Sequence, residues 1–176
     1  DGSLLVMPSG AVCVVGVAVA CRLPAHRGQA VGDSTERFST AMYELTAEDQ
    51  VWNRAAMEGG GPEARDGDRA LAALLSIHSL AMDGGLLDSV ESHDEEAIER
   101  ATEGFRYFGL VEAADVVSWA KQQVVTTNVA GDPDAAGELE GEADRRYREA
   151  VPTDSTLVAR FKVVFADRPE VFAPLA

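Results

Sequence analysis

The sequence predicts an all-α protein, a single compact domain of six to seven antiparallel helices. Three observations lead there. After position 40 the apolar residues recur at three- and four-residue steps, residues that cap helices punctuate the segments, and no stretch alternates with a period of two for long enough to make a strand. The chain has 176 residues, 46% of them apolar, which is enough for one hydrophobic core and too little for two comfortable ones. Residues 1–35 read as an apolar and linker segment, and residues 36–176 as a helical, acidic domain.

The segment Ala11 to Cys21 is an uncharged apolar run, too short for a membrane helix of roughly 20 residues. Asp1 precedes it and Arg22 and Arg27 follow it, the reverse of the charge order of an export signal, so a cytoplasmic location without membrane association is expected unless residues 11–21 act as a signal segment. Its alternatives are a strand or a helix, followed by a linker over Pro24 to Asp33. Cys13 and Cys21 match no zinc or redox spacing, and the rest of the chain has no cysteine, which suits a reducing compartment.

Thr46 with Asp49 three residues on forms a capping box that opens a helix through Met57, burying Val51 or Trp52 and stopped by Gly59-Gly60-Gly61-Pro62. Asp66 or Asp68 opens the next, with Leu71, Leu74, Leu75, His78 and Met82 inward and a left-handed Gly84-Gly85 cap at its end. Ser92 with Glu95 is a second capping box, ahead of a helix carrying Ala97, Ile98, Ala101, Phe105 and Phe108 on one face. Val111 to Val125 repeats the pattern. Asp132-Pro133 is an N-cap with proline at the first helical position, before Leu139, Ala143 and Tyr147. Asp154 opens a helix with Leu157, Phe161, Val164 and Phe165 inward, and Pro169 starts a last short turn.

Charge is the unusual quantity. Fifteen Lys and Arg oppose thirty Asp and Glu, a net −15, and such a surplus costs stability by self-repulsion. Residues 83–103 hold a net −7 and residues 132–144 a net −6, so two short stretches carry nearly the whole imbalance. Lys and Ile occur twice each while Ala, Val, Gly and Arg abound, a bias that points to a GC-rich bacterial genome.

In the first stretch Glu95, Glu99 and Glu103 stand at successive i,i+4 positions beside Asp94 and Glu96; in the second Asp134, Glu138 and Glu142 do the same. Like charges at that spacing destabilise a helix by about 0.2–0.5 kcal/mol per pair, so stability alone does not select them. Row members lie about 6 Å apart along the axis, whereas duplex DNA presents a charge roughly every 1.7 Å. Two rows together with Asp83, Asp88 and Glu91 come within a small factor of that density, and could steer the Lys and Arg face of a DNA-binding protein, such as a transcription factor or nucleoid protein. The plainer reading is of solvated helix faces with carboxylates placed early to suit the helix dipole and Arg145, Arg146 and Arg148 placed late.

Catalytic and metal motifs are missing. The chain has no GxSxG, no P-loop, no HExxH and no Gly-rich dinucleotide loop, so no enzymatic activity and no cofactor is expected. Asp132-x-Asp134 with Gly137 starts like a calcium loop, but Ala143 stands where the bidentate Glu must be. His93 with Glu96 has no second His at ligand spacing. His78 sits on an apolar face as a satisfied core histidine, and Trp52, Trp119, Tyr107 and Tyr147 have no basic stripe beside them, which argues against a nucleic-acid ligand.

The run Leu45-Thr46-Ala47-Glu48-Asp49-Gln50-Val51-Trp52, then Asp83-Gly84-Gly85-Leu86-Leu87, Asp94 to Gly109, Asp144-x-x-Tyr147 and Arg168-Pro169-Glu170-Val171-Phe172 resembles the all-helical domain family of the bacterial DNA-mimic protein DMP-nineteen, over roughly positions 40–176. The resemblance implies a helical fold, no catalysis, and an acidic surface that in at least one member occupies the DNA-binding face of a transcription factor. By position it carries over Gly84-Gly85, the helix with Glu95, Glu99 and Glu103, and Pro169-Glu170-x-Phe172; it departs at Leu86 to Ser92, where the family has an aromatic-rich segment. The leading expectation is an acidic domain that binds a basic protein, in its sharpest form a DNA mimic. A helical scaffold with apolar contacts is the alternative, and a metal-dependent carboxylate enzyme a third.

Overall fold

The computed structural model describes residues 45–127 and 132–175, and in addition the backbone of two short strands, β1 (Leu4–Val6) and β2 (Val12–Val14), paired antiparallel with Leu5 opposite Cys13. Most of the apolar run Ala11 to Cys21 and the whole linker over Pro24 to Asp33 lie outside the described residues. From residue 45 on, the described chain is all helical: α1 (Ala47–Glu58), α2 (Asp66–Asp83), α3 (Leu86–Glu91), α4 (Glu95–Tyr107), α5 (Val111–Thr126), α6 (Pro133–Ala150), α7 (Asp154–Asp167) and a 3-10 turn at Pro169–Val171.

Local chemistry sets most of the helix starts. Thr46 Oγ1 accepts from the Asp49 amide at 3.2 Å while Asp49 Oδ2 accepts from the Thr46 amide at 3.0 Å, the reciprocal pair a capping box requires. Asp132 caps α6 by accepting from the Ala135 amide, with Pro133 at the first helical position. At α4 the expected Ser92 and Glu95 box is replaced by Asp94, whose carboxylate accepts from the Ala97 amide at 2.7 Å. Either residue can cap, but Ser92 is already the C-cap of α3, a helix that short-range periodicity did not reveal.

That extra helix also changes the glycine turn. Gly84 ends α2 in a right-handed conformation, and Gly85, at φ 100° and ψ 160°, is the N-cap of α3, so the pair redirects the chain between two helices in place of a left-handed cap.

The long central helix α2 packs against α1, α3 and α4, and α5 joins α3, α4 and α6. The buried stripe of α2 is Leu71, Leu74, Leu75, Ile77, His78 and Ala81; the 3.6-residue repeat reaches Ala81 where Met82 was expected, and Met82 is exposed. Close approach of α2 and α4 depends on Gly104, where a Cβ would stand 2.4 Å from the Ala70 carbonyl oxygen. Phe161 of α7 is the aromatic hub: Trp52 of α1 meets it edge-on at 5.6 Å, and Phe172, beyond the 3-10 turn, meets it edge-on at 5.7 Å.

A buried polar chain ties three helices together. His78 Nδ1 lies 2.9 Å from the Tyr147 hydroxyl and Nε2 lies 3.1 Å from Asp154 Oδ1, which joins α2, α6 and α7 and fits the expectation of a satisfied core histidine. With Nε2–H donating to the Asp154 carboxylate, Nδ1 is left to accept from the tyrosine. Burial holds the His78 pKa below its ordinary value, against the opposing pull of Asp154. Burial likewise raises the Tyr147 phenol, so both rings are neutral near pH 7.

Candidate functional site

The two acidic stretches meet in one place. A cleft of about 350 Å³ opens between α3, the end of α5 and α6, and its lining includes Asp88 and Glu91 from the first stretch and Glu140 and Asp144 from the second. Its apolar walls are Leu87, Val124 and Leu139, Gln123 and Thr127 complete the polar rim, and among the described residues no Lys or Arg lines it.

Asp144 builds this junction. Its Oδ1 accepts from the Leu86 amide at 3.0 Å, supplying α3 with the N-terminal cap that Gly85 has no side chain to provide. Arg148, one turn on, holds the other oxygen at 3.2 Å. The glycines leave room for the carboxylates: a Cβ on Gly84 would come within 2.7 Å of Asp88 Oδ2, and one on Gly85 within 3.1 Å of Asp144 Oδ1.

The rows expected from helical spacing fare differently. Glu95 and Glu99 share Lys121 of α5, at 2.8 and 3.4 Å, and hydrogen bonding to that ammonium holds the Glu95 carboxyl below its ordinary pKa while Glu95 raises Lys121. Glu96 pairs with Arg100 at 2.6 Å. Glu103 lines a shallow groove on the other side of α4 with Arg69, Arg100 and Tyr107, so the row winds around its helix instead of forming one straight ridge. In an ideal helix, i,i+4 steps advance by about 40° each, which accounts for the drift.

On α6, Glu142 is clamped by Arg145 at 2.8 Å and Arg146 at 2.7 Å, and those hydrogen bonds, Arg146 first, keep its carboxyl below the ordinary range. Arg146 also lies over the Trp119 ring at 4.1 Å, which places a cation on the flank of α5. Asp134 and Glu138 are exposed on α6 and do not line the cleft. Among the described residues Asp83, Asp88, Glu91, Glu103, Asp134 and Glu138 make no ion pair, and Asp94 is committed to its cap.

Glu140 and Asp144 belong to the second acidic stretch but were not among the expected partner-binding residues. The available clue was the i,i+4 run Ala136, Glu140, Asp144 adjoining the inward row Leu139, Ala143, Tyr147. What spacing does not disclose is which helix α6 faces.

Among the described residues no group of three or more His, Cys, Asp and Glu side chains is placed to hold a metal ion, and no helix is long and apolar enough to cross a membrane. His93 Nδ1 lies 2.7 Å from the Ser89 carbonyl oxygen. Compared with known proteins, the chain matches no family model, no curated protein and no solved structure.

Proposed function

We propose that this chain is an acidic binding domain that engages the basic face of a DNA-binding protein, acting as a DNA mimic. The observation that carries the reading is the cleft where Asp88, Glu91 and Glu140, none of them ion-paired among the described residues, stand with Asp144, which Arg148 pairs from outside the lining. Asp144 caps α3 from α6 and so fixes the two helices that carry these carboxylates, which lowers the ordering entropy opposing a partner's arginines. Asp83, Asp134 and Glu138, exposed on the same two acidic stretches, extend the negative field that steers encounter. The resemblance to the DMP-nineteen family supports the same partner class.

The test is competition. Immobilised chain should capture purified nucleoid or transcription-factor domains, release them to added duplex DNA, and lose them steeply as salt rises. Asp88→Lys with Glu140→Lys should abolish capture while helicity is retained. Capture indifferent to duplex DNA and to salt overturns the mimic.

A second reading, a helical scaffold with apolar contacts, is favoured by the local pairing of Glu95, Glu99 and Glu142 and by the exposure of Val125 and Val163. There the same charge reversals would leave assembly unchanged.

A further inference from the structure

After α7 the chain lies across α1 and α2 as a strap, and it is held in an uncommon way. Ala173 is gripped at both main-chain groups: its amide donates to Asp68 Oδ2 at 2.6 Å, and its carbonyl accepts from Arg54 Nη2 at 2.9 Å. Arg54 Nη1 donates to the Pro174 carbonyl at 3.2 Å, and Arg65 Nη1 to the Glu170 carbonyl at 2.8 Å. Behind this clamp Asp68 is fully buried, paired through Oδ1 with Arg54 at 2.7 Å and through Oδ2 with the Arg65 amide at 3.0 Å.

Every one of those hydrogen bonds to the strap reaches backbone atoms, so the clamp does not depend on which side chains the strap carries. Side-chain contact centres on Gly67, where an added Cβ would meet the Val171 Cγ2 methyl at 2.9 Å as well as the Phe172 ring. The Phe172 ring stands on Gly67, where a Cβ would come within 2.8 Å of the ring, and packs against Phe161 and Phe165 with centroids 5.7 and 5.3 Å away. Phe172 is extended, at φ −106° and ψ 146°, and only it and Ala173 are buried, while Pro169, Glu170, Pro174 and Leu175 are exposed. A main-chain clamp beside a pocket for one side chain is how linear peptides are recognised.

We infer that Gly67, Asp68 and Arg54 form a docking site for an extended peptide bearing an aromatic residue followed by a small one, occupied in cis by Phe172 and Ala173. Tethering gives the strap an effective concentration on the order of millimolar, so a peptide of the same chemistry enters only when the strap is displaced. The site is built from α1, α2 and the aromatic face of α7, and shares no residue with the lining of the acidic cleft.

The experiment uses the full chain with a protease site inserted between Asp167 and Arg168, cut after folding, and a fluorescent peptide spanning Arg168 to Leu175. The uncut chain should leave the peptide free. The cut chain should exchange its strap for it, with affinity reduced about tenfold or more by Phe172→Ala in the peptide and likewise by Gly67→Ala or Asp68→Asn in the body. Should the cut body lose helicity, excess peptide should restore it. Failure to bind or restore, or equal binding of the Phe172→Ala peptide, overturns the inference.

Discussion

Asp144 Oδ1 accepts a hydrogen bond from the Leu86 amide at 3.0 Å, so a carboxylate on α6 caps a helix that begins 58 residues earlier in the chain. A cap borrowed from across the fold fixes the angle between two helices as well as satisfying an orphan amide. It is the contact that brings the two acidic stretches to a common cleft.

Removing that cap should cost what local caps cost. Asp144→Ala is expected to destabilise the fold by about 1–2 kcal/mol, read as a lower urea midpoint at unchanged slope. Gly85→Ala, which must adopt a positive φ and meet Asp144, should cost about 1–3 kcal/mol. Amide exchange at Leu86 should accelerate in the first variant; unaltered protection there would exclude the capping role.

Buried His78 makes the fold sensitive to acid. Its pKa is lowered by burial, so below about 6.5, its ordinary value, the unfolded chain takes up the proton that the folded chain resists. The stability tied to neutral His78 is therefore complete above that value and drains away as pH falls through the window down to the folded pKa. Urea midpoints should drop between pH 8 and pH 5.5, and His78→Gln should flatten that part of the profile. A midpoint in the parent chain that does not change over this window contradicts the assignment.

Two helical glycines should respond oppositely to the same substitution. Gly104→Ala forces α2 and α4 apart against the Ala70 carbonyl and should destabilise by about 1–3 kcal/mol. Gly137 lies in α6 with nothing within 4 Å of the added Cβ, so Gly137→Ala should stabilise by about 0.8–1 kcal/mol through helix propensity alone. Thermal melts of the pair give the comparison directly.

The Asp68 and Arg54 pair should show the asymmetry of buried ions. Asp68→Ala leaves a nearly buried guanidinium without its counter-charge and should cost about 3–5 kcal/mol, whereas Arg54→Met combined with Asp68→Leu should recover much of it. The bonds from the Ala173 and Arg65 amides to Asp68 are missing from both variants, and the double variant also loses the Arg54 bonds to the Ala173 and Pro174 carbonyls; these set the residual cost, while a double-mutant cycle measures the coupling of the pair.

Much of the helical fold was written in local chemistry. Thr46 with Asp49, Asp132 with Pro133, and the stripes Leu71 to His78 and Ile98 to Phe105 each place a helix and its inner face from residues within a few turns of one another. The failures at Ser92 and the two glycines have a common cause: α3 is only six residues long, shorter than two helical periods, so no repeat could announce it, and its presence reassigned all three.

The candidate site was only half legible. Sequence alone determined that nearly all the excess negative charge sits in residues 83–103 and 132–144, because composition is independent of folding. Tertiary structure decided which of those carboxylates stay unpaired. Lys121 reaches Glu95 and Glu99 from 22 to 26 positions away, and Asp88 and Glu91 are brought to one cleft with Glu140 beside the Arg148-paired Asp144, whereas Glu142 is neutralised within its own helix by Arg145 and Arg146. Coulombic attraction and hydrogen bonding act over a few ångströms in space, and distance along the chain does not report that separation once helices pack.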